Sequence, residues 1–289
     1  MSKISFLIYI PGRKENIGGQ VVLHKLVKIL ADMGEEVWTN QTPMFECNSN
    51  ILEQNEDGTW NTKNVNNTIV ALYPEQIEGN PFNVENVTRW ILYHTKENVE
   101  KTWSPSDIHF YYTKGFKSSS KTRYKLTTID SKLDIFTNKG LGSKKKGYCH
   151  INKKKYPVGE KTLSHLESKD LSNFMECGGF KYLAEEFNKH EYFVTYDDAT
   201  YYSMLAALCG CRSIIINTNP LITPDEYREL YPIAKYGISY GWNDIKHADL
   251  TRDLLRDFIK SIEKESIKNV TSFIDFWVNK VDNIDINKK

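Results

Sequence analysis

The sequence lacks a hydrophobic run long enough to cross a membrane, and its cysteines show no pattern of a disulfide framework or a zinc site. The longest apolar run near the amino terminus, residues 4–10, falls far short of the roughly 20 residues that a membrane helix needs. The five cysteines are odd in number and have no CxxC spacing, which argues against disulfides and tetrahedral zinc. We therefore expect a cytoplasmic protein without a transmembrane segment and without a metal.

A net charge of either sign is also missing. The sequence has 38 Lys and Arg residues against 37 Asp and Glu residues, which leaves a formal charge of +1. Such a balance indicates no nucleic-acid partner, because nucleic-acid-binding domains are usually strongly basic. The 289 residues suffice for two domains, since domains most often have roughly 100–150 residues.

Strand and helix patterns alternate along the chain, which predicts an α/β fold with parallel sheets covered on both faces. Strand patterns cover residues 4–10, 35–40, 68–74, 89–94, 108–113, 147–152, 192–197, 213–217 and 236–241. The first helix pattern buries Val22, Leu26, Ile29, Leu30 and Met33 and ends at Gly34. Apolar residues at three- and four-residue spacing predict two helices near the carboxyl terminus, at 249–265 and 270–281.

A stretch rich in Lys, Ser and Gly between residues 114 and 150 has the composition of exposed connections. We place the domain boundary there, which gives two Rossmann-like domains, residues 1–125 and residues 126–289. The last helix either belongs to the second domain or packs back on the first.

Two aspartates, Asp197 and Asp198, stand between an apolar strand and a helix pattern that starts at Ala199 and closes at Gly210. The start of a helix directly after a strand is where open α/β sheets bind ligands, because its N–H groups and dipole favour a phosphate. In one interpretation an aspartate is simply the N-cap of the helix. In the other, one aspartate caps while its neighbour accepts hydrogen bonds from sugar hydroxyls, and Thr200 faces the phosphate.

Two further segments have the residue types of a ligand site. Gly18 and Gly19 precede a helix, where a substrate can approach the backbone closely, although such pairs are often mere turns. They do not form the GxGxxG fingerprint, which argues against a dehydrogenase. Lys153, Lys154 and Lys155 follow the first strand of the second half, where they either neutralise a diphosphate or belong to a solvated loop.

Three segments together carry a resemblance to a known family: residues 68–95, which begin TIVALYPEQ, residues 187–217, which contain FVTYDDATYY, and residues 236–248, YGISYGWNDIKHA. They resemble bacterial and viral glycosyltransferases of GT-B fold, related to the rhamnosyltransferases that build surface polysaccharides. The resemblance extends from about residue 4 to residue 260.

The resemblance implies two Rossmann-like domains that face a cleft, with a nucleoside-diphosphate sugar held mainly by the second domain and a saccharide or glycan acceptor mainly by the first. It implies neither a metal nor a cofactor besides the donor substrate. The residues assigned to donor binding are Gly18, Gly19, Lys153, Lys154, Tyr196, Asp197, Asp198 and Thr200.

The catalytic assignment stays open between an inverting and a retaining transfer. An inverting transfer needs a base near the acceptor hydroxyl, for which Glu75 and His94 at predicted strand ends are the candidates, with His24 considered beside them. Each of these can instead be a surface or structural residue. The related retaining enzymes of family 4 carry two glutamates eight residues apart, whereas Leu205 and Ala206 stand eight residues beyond the aspartates here.

Two other functions stay open as alternatives. One is a Rossmann-type nucleotide-sugar epimerase or dehydrogenase, which would hold NAD tightly. The other is a glycan-binding protein without catalysis on a transferase-like scaffold, which would bind saccharides but no nucleotide.

Overall fold

The structure is a computed structural model that describes residues 4–116, 124–140, 142, 145–151, 167–216, 219 and 221–287. The chain divides into two compact units. Unit 1 comprises Met1–Asp130 and Ile262–Lys289, and unit 2 comprises Ser131–Ser261. Each unit contains a parallel β-sheet of its own, as the alternation of strand and helix patterns predicted.

The sheet of unit 1 has seven parallel strands in the order β3-β2-β1-β4-β5-β6-β7. The strands are β1 Ile4–Ile8, β2 Glu36–Thr39, β3 Asn50–Ile51, β4 Thr68–Pro74, β5 Asn86–Ile91, β6 Ile108–Tyr111 and β7 Tyr124–Lys125. The order reverses between β1 and β4, as in Rossmann-type doubly wound sheets, where the crevice at the reversal is the usual ligand site.

In the described part of its first segment, unit 1 has the α-helices α1 Gly18–Asp32 and α2 Glu97–Glu100. Helix α1 buries Val21, Leu23, His24, Leu26, Val27 and Leu30. The predicted face was therefore partly wrong, since Met33 is 38% exposed and Val22 and Ile29 are only partly buried. The buried stripe is wide enough to include residues on both sides of the predicted line. Gly34 follows the helix with φ +85°, which confirms the predicted helix end.

The sheet of unit 2 has five parallel strands in the order β12-β11-β10-β8-β9. The strands are β8 Tyr148–His150, β9 Lys169–Asp170, β10 Tyr192–Thr195, β11 Arg212–Ile215 and β12 Ile238–Tyr240. Among the described residues of this unit, the helices are α3 Gly179–Lys189, α4 Tyr201–Leu208, α5 Pro224–Leu230 and the first part of α6 Ile245–Asn287. The strand order reverses between β8 and β10, the arrangement of flavodoxin-like sheets.

Helix α6 corrects the prediction of two separate carboxyl-terminal helices. It runs unbroken from Ile245 to Asn287, because no glycine or proline interrupts this segment. Its residues from Ile262 onward belong to unit 1, where Val270, Phe273, Ile274, Trp277 and Val281 share one hydrophobic cluster with β1 and α1. Within the described residues, no helix is long and apolar enough to cross a membrane.

Candidate functional site

The carboxyl edge of the unit 1 sheet carries the first candidate site. Strand β4 ends at Pro74, beside the end of β1 at Ile8, and Glu75 is the next residue. Parallel strands present their carboxyl ends at one edge, and the point where the strand order reverses leaves a crevice there. Glu75 therefore lies where a doubly wound sheet most often binds its substrate.

The carboxylate of Glu75 is partly buried and held by the neighbouring strand. Its Oε2 atom accepts a hydrogen bond of 3.0 Å from the backbone N–H of Leu92, the residue after β5. Burial raises the pKa of Glu75 from 4.5 to about 7, while the backbone hydrogen bonds, chiefly that from Leu92, act in the opposite direction. A carboxyl group that titrates near neutral pH has the pKa that a general base needs.

Gly18 and Gly19 open helix α1 near the same edge. Ile17 is the N-cap residue of α1 and forms no side-chain cap, and the first turn of this helix contains no acidic residue. A β-carbon built on Gly19 would lie 3.8 Å from Cδ1 of Leu92. Leu92 thus neighbours both Gly19 and the carboxylate of Glu75, so the structure brings two of the sequence-predicted positions together.

His94 and His24 differ in their surroundings. His94 is exposed, and its ring lies 4.8 Å from that of Tyr93 and 5.4 Å from that of Phe116. Among the described residues, no hydrogen bond joins it to Glu75.

His24 is fully buried. Its Nδ1 accepts from Met44 N at 3.1 Å and its Nε2 lies 3.3 Å from the carbonyl of Gly12.

Both nitrogens of His24 therefore have partners, and burial lowers its pKa, so the ring is a neutral structural group. The structural interpretation of His24 is confirmed. Of the candidate bases near the carboxyl edge of the unit 1 sheet, Glu75 is the one whose pKa is raised.

The carboxyl edge of the unit 2 sheet carries the second candidate site. Strand β8 ends at His150 and its neighbour β10 ends at Thr195, so Asp197 and Asp198 follow directly at the reversal of strand order. The predicted donor-binding lysines, Lys153 and Lys154, lie outside the described residues.

Neither aspartate is the N-cap of helix α4. The N-cap is Thr200, whose Oγ1 accepts a hydrogen bond from Tyr202 N at 3.3 Å. The capping interpretation of the aspartates was wrong because two further residues, Ala199 and Thr200, lie between them and the first helical turn. Asp197 forms a turn instead, with Oδ1 accepting from Ala199 N at 3.3 Å.

Asp198 is held by tyrosines that the sequence analysis missed. Tyr227 donates a hydrogen bond from its hydroxyl to the backbone carbonyl of Asp198, and the Tyr231 hydroxyl lies 3.5 Å from Oδ2 of Asp198. Tyr240 stacks on Tyr227 with ring centroids 4.2 Å apart. Burial, and secondly the charge of Asp198, raise the pKa of Tyr227, which keeps its hydroxyl a donor.

With its backbone held by Tyr227 and one carboxylate oxygen beside the Tyr231 hydroxyl, Asp198 is suited to accept hydrogen bonds from ligand hydroxyls. Tyr227 lies in α5 and Tyr231 is the C-cap residue of that helix, so the end of one short helix supplies both hydroxyls.

Tyr196 and His150 complete this edge. Tyr196 is only 9% exposed and packs with Val194 in a small cluster, so its ring contributes to the packing of the sheet. His150 Nδ1 lies 3.0 Å from Ser168 Oγ, and burial lowers the pKa of its ring. The sequence analysis did not single out His150 or Ser168.

Neither a protein-family model nor a curated protein sequence matches this chain. The functional interpretation therefore depends on the chemistry of the two sheet edges.

Proposed function

We propose that this protein is a glycosyltransferase that moves a sugar from a nucleoside-diphosphate donor to a saccharide or glycan acceptor. In this proposal the two units form a GT-B arrangement, with the acceptor at the unit 1 edge and the donor at the unit 2 edge. The observation that carries the proposal is Glu75, a carboxyl group with a pKa of about 7 at the strand-order reversal of a parallel sheet.

The proposed reaction is an inverting displacement. The carboxylate of Glu75 takes the proton of an acceptor hydroxyl, and the resulting oxygen nucleophile bonds to the anomeric carbon of the donor sugar. The bond between that carbon and the diphosphate oxygen breaks, and the nucleoside diphosphate leaves with the electron pair. General base catalysis of this kind contributes about 10²–10⁴-fold to a rate.

Residues of unit 2 support the donor side. The carboxylate of Asp198, whose backbone is held by Tyr227 and whose Oδ2 lies beside the Tyr231 hydroxyl, would accept hydrogen bonds from donor sugar hydroxyls. Lys153 and Lys154, which follow β8 in the sequence, would offset the charge of the diphosphate. The beginning of helix α4, capped by Thr200, offers a favourable dipole end for the same group.

Two measurements test the proposal. First, thermal unfolding is followed with a panel of nucleoside diphosphates, where a ligand at 100 times its dissociation constant stabilises by about 2.7 kcal/mol. Second, donor consumption with saccharide acceptors is measured for wild type and for Glu75→Gln. We expect stabilisation by at least one diphosphate and a turnover loss of about 100-fold or more in Glu75→Gln.

Glu78→Gln is the matched control, because Glu78 is an exposed glutamate in the same loop, and its turnover should equal that of wild type. Equal activity of Glu75→Gln and wild type would overturn the role of Glu75. Purified protein that absorbs as an NAD complex would favour the epimerase or dehydrogenase alternative. Saccharide binding with no response to any nucleotide would favour a non-catalytic glycan-binding protein.

A further inference from the structure

A pocket of about 260 Å³ lies in unit 1, away from the edge that carries Glu75. Its walls are the loop that precedes β5, from Gly79 to Glu85, and the loop that precedes β6, from Thr102 to Asp107. Both loops lead into their strands, so the pocket opens at the amino edge of the sheet. Leu92 at the other edge lies five steps along the chain from Val87 at the pocket, roughly 16 Å along a strand.

A buried ion pair forms the floor of the pocket. Nε of Arg89 donates to Oδ2 of Asp107 at 2.7 Å, and the two side chains are only 1% and 3% exposed. The guanidinium lies 5.0 Å from the ring of Tyr73 and 5.1 Å from the ring of Trp103. Its Nη1 and Nη2 atoms donate to the carbonyls of Ile77 and Gly79. The guanidinium of Arg89 is thus held in place, and its N–H groups donate to Asp107 and to backbone carbonyls of the surrounding loop.

Asp107 lines the pocket, and Oδ2 is the carboxylate oxygen that its ion pair with Arg89 engages. Among the described residues, no hydrogen-bond donor reaches Oδ1 of Asp107. This oxygen is also not fully sealed from the surface. A carboxylate oxygen that is largely withdrawn from solvent is stabilised when a donor binds it, because an unmet acceptor carries a desolvation cost. The pocket is the space from which such a donor can come.

The rim adds groups of the same kind. The hydroxyls of Ser104 and Ser106 lie 2.8 Å apart and can each donate and accept. Glu85 contributes an exposed carboxylate. An anion is disfavoured in this pocket, because the carboxylates of Asp107 and Glu85 line it. The guanidinium of Arg89 does not compensate, since it already donates to Asp107 and to backbone carbonyls. A cation gains little at the floor, because Arg89 already balances the charge of Asp107.

We propose that this pocket binds one neutral sugar residue through hydroxyl groups that donate to Asp107 Oδ1, to Glu85 and to the serine pair. Its volume lies below the roughly 300–1,000 Å³ of pockets for drug-sized ligands, which suits a single ring. The sugar bound here is distinct from the one that receives the transferred group, because Glu75 lies at the opposite edge. The inference depends on the proposed glycan transfer only for the choice of ligand.

The test is a titration of the full chain with neutral methyl glycosides, followed by backbone amide chemical shifts. Glucuronate and glucosamine serve as charged counterparts. We expect a neutral glycoside to shift amides of residues 79–85 and 102–107. Ser106→Trp fills the pocket from an exposed position and should weaken this binding by at least about 10-fold, while Glu85→Gln weakens it several-fold. Asn66→Trp is the control, since Asn66 is exposed and does not line the pocket.

Shifts at residues 75 and 92–94 report on the other edge, so the two sites are distinguished in one experiment. The inference is overturned if no neutral glycoside shifts the pocket amides, if Ser106→Trp binds as wild type does, or if only a charged counterpart binds. Donor consumption measured on Ser106→Trp separates the two proposals. Transfer without sugar binding in the pocket would support the glycosyltransferase proposal and overturn the pocket proposal. Sugar binding in the pocket without transfer would do the reverse.

Discussion

The Oε2 atom of Glu75 accepts a hydrogen bond from the backbone N–H of Leu92 at 3.0 Å, which ties the end of β4 to the end of β5. The bond holds the carboxylate at the edge of the sheet instead of leaving it free in solvent. Because burial disfavours the charged form more strongly than this bond favours it, the pKa of Glu75 rises to about 7.

Transfer activity should therefore depend on pH through Glu75. The base form is the carboxylate, so kcat/KM is expected to rise with pH and to level off above about 7. In Glu75→Gln the residual activity should lack this rise. The measurement is kcat/KM against pH for both proteins with a saccharide acceptor, and a rise of equal midpoint in the variant would assign the titration to another group.

Stability should show the opposite dependence. The folded protein keeps the Glu75 proton up to about pH 7, whereas the unfolded chain releases it near the ordinary glutamate pKa of 4.5. Between these values the folded state binds more protons, so the free energy of unfolding contributed by this group falls as pH rises. As pH rises across this window, the urea midpoint of wild type should fall relative to that of Glu75→Gln. Above pH 7 the difference between the two midpoints should stay constant. A constant difference throughout would contradict the raised pKa.

Asp198→Asn should separate charge from structure at the second edge. Asparagine keeps an acceptor for the Tyr231 hydroxyl, and the backbone contact from Tyr227 does not depend on the side chain. We expect a nearly unchanged melting temperature and a turnover loss of at least ~10-fold, which corresponds to about 1.4 kcal/mol of transition-state stabilisation. Asp197→Asn is the comparison, because its turn with Ala199 N survives the change. Full activity of the Asp198 variant with the true donor would exclude a role for its charge.

Lys145 should matter to stability through two helix ends. Its side chain is 8% exposed, and Nζ donates to the carbonyl of Phe187 in α3 at 3.1 Å and to that of Cys209 after α4 at 2.7 Å. A cation at the carboxyl ends of two helices is favourable to both dipoles. Lys145→Met should lower the free energy of unfolding by about 1–3 kcal/mol. Lys146→Met, at an exposed position, should leave the urea midpoint unchanged.

Trp277 should anchor the end of α6 in unit 1. It is 1% exposed, and its Nε1 donates to Oγ1 of Thr88 in β5 at 3.0 Å. Truncation to alanine removes a large buried ring and leaves the threonine hydroxyl without this donor, so Trp277→Ala should cost about 3–5 kcal/mol. Ile267→Ala, at a 54% exposed position of the same helix, should cost less than about 0.5 kcal/mol. Equal denaturation midpoints of the two variants would contradict this anchoring role.

Local features of the fold could be predicted where a short segment contains the whole cause. Strand β4 has the predicted bounds of residues 68–74, and Gly34 and Gly210 end their helices with positive φ, because only glycine enters that region at little cost. Other strands were predicted too long. The pattern over 108–113 extends two residues past β6, which ends at Tyr111. The pattern over 89–94 was instead placed three residues too late, because β5 covers Asn86–Ile91 and begins with a polar residue.

Short elements were missed for a related reason. Strands β3, β7 and β9 have two residues each, too few for any periodicity. They form because a neighbouring strand offers its edge, as β6 does for β7.

The sequence by itself determined the class of the fold and the positions of the carboxylates along it. Alternating strand and helix patterns specify parallel sheets, and residues after such strands reach the carboxyl edge wherever the strand ends. Glu75, Asp197 and Asp198 could be selected on that ground alone.

Only the tertiary structure decided what surrounds these groups. The N–H that holds Glu75 comes from 17 residues away in the chain, the tyrosines around Asp198 from 29 and 33 residues away, and the partner of Arg89 from 18 residues away. Burial, hydrogen bonds and pKa are properties of neighbours in space, and the order of strands in a sheet sets those neighbours. A sequence pattern read over a few residues does not contain that order.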